Sequence, residues 1–150
     1  MTTLTHTHDR IRLKRAAKDS YRAMIELDAS VKLDDPNLHE LIKVRASYIN
    51  GCAYCIDMHT KDARNLGETE GRLYALAAWR ESTFFTDRER AALAVTDAVT
   101  LLPEAGLPDD VYYDATEHFG EEQLGQLIMA VVVINAWNRI AVSTRIVPGE

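Results

Sequence analysis

Cysteine, glycine, proline and aromatic residues are all scarce in this sequence: 2 Cys, 7 Gly and 4 Pro in 150 residues, with aromatics at 7%. Cys52 and Cys55, three positions apart, cannot form the several bridges that hold a small secreted scaffold together. They are present for chemistry or for packing. The few glycines and prolines punctuate a helical pattern rather than a β one. Positive charge is not in excess either: 17 Lys+Arg stand against 23 Asp+Glu, a formal net charge of -6, which disfavours nucleic acid and anionic membranes as partners. No apolar run reaches the ~20 residues of a membrane span. The longest, Leu127 to Trp137, is interrupted by Asn135 and reads as a buried helix. The first ten residues are polar, include Asp9 and lack the apolar block of a secretory signal. These absences lead us to expect a soluble, cytoplasmic chain in which residues 1–10 form a flexible tail.

What is present is enough for one core. With 47% hydrophobic residues, a chain of this length buries roughly 68–70% of its unfolded surface in one domain, here taken as residues 1–150. The spacing predicts an all-α bundle of six to seven helices. Leu13, Ala17, Tyr21, Met24, Ile25 and Leu27 repeat near the helical period over Leu13 to Leu33. Asp35 followed by Pro36 supplies an N-cap and a first-turn proline for a helix to about Asn50, burying Leu38, Leu41, Ile42 and Ile49. After the Asn50-Gly51 break, Cys52 to Leu66 forms a third helix closed by Gly67. Thr69 caps a fourth through Trp79, and Thr86 with Glu89 reads as a capping box for a fifth down to Leu102. Pro108 opens a short acidic sixth ended by Gly120. The last, Glu121 to about Arg145, is apolar around its circumference and is either a core helix or part of a subunit contact.

Chemistry concentrates in one string. On a helix, Cys52, Cys55 and His59 fall at i, i+3 and i+7, on a single face. Near a helix N-terminus, exposed N–H groups and the positive dipole end favour a thiolate, and thiols in Cys-x-x-Cys pairs can fall from about 8.5 into the range ~3.5–7.5. His59 is a base one turn beyond Cys55. Glu40, on the preceding helix, is the candidate to orient that imidazole once the Asn50-Gly51 break lets the two helices fold back together.

Plainer readings compete. The cysteines alone would also serve as two small buried hydrophobes. A zinc site built on Cys52, Cys55 and His59 needs a fourth ligand, and Asp57, Glu40 or His39 would supply it only in unusual geometry. Covalent haem attachment requires histidine directly after the second cysteine, where Ile56 stands. His6 and His8 fall in the expected tail, His118 suits a helix C-terminus, and Trp79 reads as packing. Asn135, Asn138 and Arg139 interrupt an apolar helix and need polar partners, in a subunit contact or an internal network. Glycine-rich nicotinamide, flavin and phosphate-loop patterns are absent, so no cofactor or metal is expected.

Glu40, Cys52, Cys55 and His59, within Arg45-Ala-Ser-Tyr-Ile-Asn-Gly-Cys-Ala-Tyr-Cys, resemble the core signature of the AhpD-like alkylhydroperoxidases, part of the carboxymuconolactone decarboxylase family. Ala63-Arg64, Gly67-Glu68, Trp79-Arg80-Glu81, the segment from Glu89 to Leu93 and that from Ile134 to Arg139 extend the likeness over most of the chain. Decarboxylase members lack the cysteine pair, so the dithiol points to the peroxidase-like branch. The resemblance implies an all-helical fold assembled into homo-oligomers, commonly trimers or hexamers. It implies that Cys55 is the peroxidatic cysteine, that Cys52 resolves its sulfenic acid to a disulfide, and that Glu40 and His59 relay the proton. One departure stands out: the best-described peroxidase has a second histidine between its cysteines, where this chain has Tyr54. The phenol is then the candidate replacement in the relay. Residue chemistry alone leaves open which sulfur is struck first.

The function expected is a thiol-dependent, antioxidant peroxidase acting on hydrogen peroxide or alkyl hydroperoxides. Its electrons would come from an external thiol or dithiol protein. The alternatives are a general dithiol–disulfide oxidoreductase working on protein partners, and a non-catalytic redox-sensing module whose cysteines switch an interface.

Overall fold

Four of the eight α-helices among the described residues open on a side-chain cap. A computed structural model describes residues 10–149, so of the expected tail residues 1–9, with His6 and His8, lie outside the described residues. The order is α1 (Leu13–Ala16), α2 (Lys18–Ser30), α3 (Pro36–Asn50), α4 (Ala53–Asn65), α5 (Glu70–Ala75), a single 3₁₀ turn (Leu76–Ala78), α6 (Asp87–Leu101), α7 (Asp109–His118) and α8 (Glu121–Thr144). The described residues contain no strand. Asp35 caps α3 by accepting from the Leu38 N–H, Thr69 caps α5 through Arg72 N–H, and Thr86 and Glu89 form both halves of the capping box on α6. Gly67, past the end of α4, takes the left-handed φ of 97° that its position requires.

The helix expected to run through Trp79 ends at Ala75 and is followed by the 3₁₀ turn, and three other boundaries differ from the sequence pattern. The expected first helix is two, broken at Ala17 (φ -130°, ψ 53°), which makes eight α-helices among the described residues instead of six or seven. It also ends at Ser30 rather than Leu33. Val31 is buried against Ala130 and Val133 of α8, while the Lys32 and Asp34 N–H groups donate to the side chains of Gln126 and Gln123. Partners about ninety positions away thus hold this stretch extended. In the third case Cys52 stands outside α4 as its N-cap, and its sulfur accepts the Cys55 N–H at 3.3 Å.

α3 is the hub of the bundle. One side packs Leu38 and Ile42 against α6, α7 and α8 through Val95, Phe119, Leu127 and Val131. Its other side packs Leu41 and Val44 against Ala63, Leu73, Leu76 and Leu93. Ile49 is only half-buried. α8 has the length and mean hydropathy (1.5) of a membrane-crossing helix, but Leu124, Leu127, Ala130, Val131, Ile134 and Asn138 are buried inside the bundle. Its outward Met129, Val132 and Val142 are exposed, so the helix is two-sided after all. α1 and α2 are the least buried helices: neither has a fully buried residue, and Ile25 and Leu27 of the expected apolar stripe are exposed.

Candidate active site

The turn between α3 and α4 sets the site. Gly51 adopts φ 65°, caps α3, and lets the Cys52 N–H donate back to the Ser47 carbonyl at 3.0 Å. Asn50 ties this corner to α8: its Nδ2 donates to Asn135 Oδ1 and Asn138 Oδ1, both at 2.9 Å. Asn138, fully buried, donates to Ser47 Oγ, and Asn135 donates to Thr100 Oγ1 on α6. The polar residues interrupting α8 therefore form an internal network that fastens the cysteine corner to the core, where every buried amide must find a partner.

Cys52 and Cys55 are joined as a disulfide, their Cα atoms 5.3 Å apart, packed with Ala141, Tyr54 and Ile146. They are only 1% and 2% exposed. What access exists is through a cavity of about 280 Å³ between α2, α3, α4 and α8, whose wall includes Cys55, His59 and Tyr54 but not Cys52. α4 brings Cys55 and His59 to the wall because they are four residues apart, one above the other.

His59 is oriented from behind. Its Nδ1 lies 3.0 Å from Glu40 Oε2, and Glu40 Oε1 accepts from Lys43 Nζ at 2.8 Å. Burial pushes the Glu40 carboxyl up, but hydrogen bonds from His59 and Lys43 and the charge of Lys43 outweigh it and hold the group below the usual carboxylate range. An ionised carboxylate only accepts, so His59 donates to it through Nδ1, and in the neutral ring Nε2 is the nitrogen left bare. The arrangement is thiol, base and orienting carboxylate, with the thiol and base on a cavity wall and the carboxylate behind.

All five candidate residues from the sequence thus fall in one region, with Glu40 behind the wall and Cys52 beside it. Asp57 faces elsewhere, paired with Lys61 at 2.8 Å. Among the described residues, Glu40, His59 and Asp62 bring oxygen and nitrogen atoms within 4.8 Å of one another, near enough to share a cation, although the Lys43 ammonium already supplies positive charge there. Two cavity residues on α3, Lys43 and His39, carried no catalytic role in the sequence reading, where His39 stood only as a poor zinc ligand. The available signal was their i, i+4 spacing around Glu40, which puts them on one helix face.

The carboxymuconolactone decarboxylase family model matches residues 18–98, and the chain belongs to that family. It is 42% identical over 136 residues to the uncharacterized protein YdfG of Bacillus subtilis, covering 89% of this chain and 92% of that protein. A crystal structure of a protein of unknown function from Agrobacterium tumefaciens, proposed to be the antioxidant defence protein AhpD, superposes with a TM-score of 0.88 at 40% identity, over 94% of this chain and 99% of that one. Two more distant structures share the fold. An uncharacterized peroxidase-related protein from Silicibacter matches at TM-score 0.74 and 22% identity, over 87% and 69% of the two chains. The debrominase Bmp8 matches at 0.75 and 19%, over 89% and 74%. The fold is the AhpD-like one.

Proposed function

We propose that this member of the family is a cytoplasmic thiol-dependent peroxidase that reduces hydrogen peroxide or alkyl hydroperoxides. The observation that carries this reading is that Cys55, bonded to Cys52, shares one small cavity with His59, whose other ring nitrogen rests on an ionised Glu40. In the reduced protein, His59 Nε2 takes the Cys55 proton. The Cys55 thiolate then attacks the terminal oxygen of ROOH, the O–O bond breaks, and the leaving alkoxide takes a proton from the His59 imidazolium as ROH. Cys52 condenses with the Cys55 sulfenic acid, releasing water and forming the disulfide. An external thiol or dithiol protein, itself oxidised to a disulfide, returns two electrons and two protons.

Cys55 takes the peroxidatic role because it, and not Cys52, lines the cavity, and Cys52 takes the resolving one. Tyr54, on the same wall, is positioned to replace a relay histidine. Two buried sulfurs beside a small cavity suit a small-molecule oxidant, the substrate of the peroxidase reading. The chain is taken to work as a homo-oligomer, a trimer or hexamer, with neither nucleic acid nor membrane as partner. The test is peroxide consumption with dithiothreitol as reductant, for wild type, Cys55→Ser, Cys52→Ser and His59→Ala. Cys55→Ser should fall to the uncatalysed rate, and Cys52→Ser should accumulate a sulfenic acid or a mixed disulfide. Equal rates in all four would end this reading.

A further inference from the structure

The walls of the cavity hold four side chains with charged or imidazole heads, Asp28, His39, Lys43 and His59. Three already have partners. Asp28 Oδ2 accepts from Trp137 Nε1 at 3.2 Å, Lys43 donates to Glu40, and His59 donates to Glu40. The imidazole of His39, half-buried on α3, makes no hydrogen bond or ion pair among the described residues. The ring lines a wall that is otherwise largely apolar, contributed by residues such as Ile25, Met58, Val133 and Ile134.

The surroundings also set its protonation. Burial comes first, then the Lys43 ammonium one helical turn away. Together with a smaller push from His59 they outweigh the carboxylates of Glu40 and Asp28 and lower His39 to about 4. At neutral pH the ring is uncharged, with one N–H donor and one bare nitrogen. A hydroperoxide head has the matching pair, one O–H and oxygen lone pairs, and carries no charge that would need a counter-ion. An imidazolium in its place would have no acceptor to offer.

Resting on the peroxidase reading, we propose that His39 is the substrate-binding residue for the peroxidic head. Its bare nitrogen accepts the O–H of ROOH and so holds the terminal oxygen against the Cys55 sulfur. The apolar wall receives the alkyl part, and His59 stays free to move the thiol proton. His39 gains and loses no proton in the cycle. It fixes the oxygen that is attacked, a role separate from that of the Glu40–His59 pair.

The test compares wild type, His39→Leu and His39→Gln, the last keeping both a donor and an acceptor. Each is assayed with cumene hydroperoxide and dithiothreitol. A second measurement titrates the oxidised proteins with the product alcohol, 2-phenyl-2-propanol, following the fluorescence of Trp137 on the cavity wall. His39→Leu should raise KM roughly tenfold, the worth of one hydrogen bond, with kcat within about twofold, and His39→Gln should recover most of the loss. Alcohol binding should weaken in parallel. An active wild type with His39→Leu indistinguishable from it, or slowed in kcat at unchanged KM, overturns the assignment. A wild type that consumes no peroxide defeats the parent reading instead. In that event equal alcohol binding by wild type and His39→Leu overturns the role of His39 as well.

Discussion

Two buried carboxylates, Glu40 and Asp97, are 8% and 4% exposed and are both gripped by cations attached to α3, yet only Glu40 lies at the candidate site. Asp97 on α6 accepts from Arg45 Nε at 2.8 Å, Arg45 Nη2 at 3.2 Å, Trp79 Nε1 at 3.2 Å and the Arg80 guanidinium. Arg45 extends the clamp to the carbonyls of Leu76 and Ala77. In both carboxylates burial pushes the pKa up and hydrogen-bonded cations bring it below the usual value. Electrostatic perturbation is therefore the same in kind. The difference is what each partner leaves free. Both Asp97 oxygens end in donors that have no further chemistry, whereas Glu40 holds a histidine that lines a cavity together with Cys55. A shifted carboxylate marks a site only when its partner still has bonding capacity and a space in which to use it.

The sharpest way to break this comparison is to remove each negative charge in turn. Asp97→Asn leaves Arg45 and Arg80 without their counter-ion and should destabilise the fold by about 3–5 kcal/mol in urea melts. Peroxide turnover of the protein that remains folded should change little. Glu40→Gln should do the reverse, keeping most of the stability while lowering kcat/KM by roughly 10²-fold, the scale of a disabled proton transfer. Finding activity lost at Asp97 and stability lost at Glu40 would exchange the two roles.

Acid titration sharpens it further. Glu40 and Asp97 both have folded values below the ordinary carboxylate range. Their contribution is complete above that range and is lost as pH falls through the folded values, because the unfolded chain takes up protons first. His39 adds to this at higher pH. With a folded value of about 4 against 6.5, it stays neutral while the unfolded chain is protonated, so stability should decline from about pH 6.5 toward 4. Urea midpoints measured across that window should show a shallower decline for His39→Gln. An unchanged slope would mean that His39 is protonated in the fold. The smallest effect is expected at Tyr54, where Tyr54→Phe should lower kcat by less than about tenfold, a partial loss in the relay, with the melting temperature held.

Legibility followed the range of the interaction. Asp35, Thr69, Thr86 with Glu89, and Gly67 could be read directly, since a cap involves residues within one turn of each other. The Cys52, Cys55 and His59 register is equally local, and the Glu40 contact followed from a two-residue break between helices. The end of α2 could not be read, because Gln123 and Gln126, which hold the next segment extended, lie far along the chain. Arg45 and Asp97 are separated by 52 positions, and nothing in their spacing announces the pair. Nor does the break at Ala17 have a local signal. His39 was visible only as a poor zinc ligand until α2 and α8 closed the cavity around it.

By itself, then, the sequence determined the helices, the corner at Asn50-Gly51 and the cluster of sulfur, imidazole and carboxylate, since each depends on spacing along one or two adjacent helices. Tertiary structure alone decided that Cys55 rather than Cys52 reaches the cavity, that His39 faces it unbonded, and that the polar groups of α8 anchor the corner. The physical reason is that exposure and unsatisfied bonding capacity depend on every element packed around a residue, and those elements come from all parts of the chain.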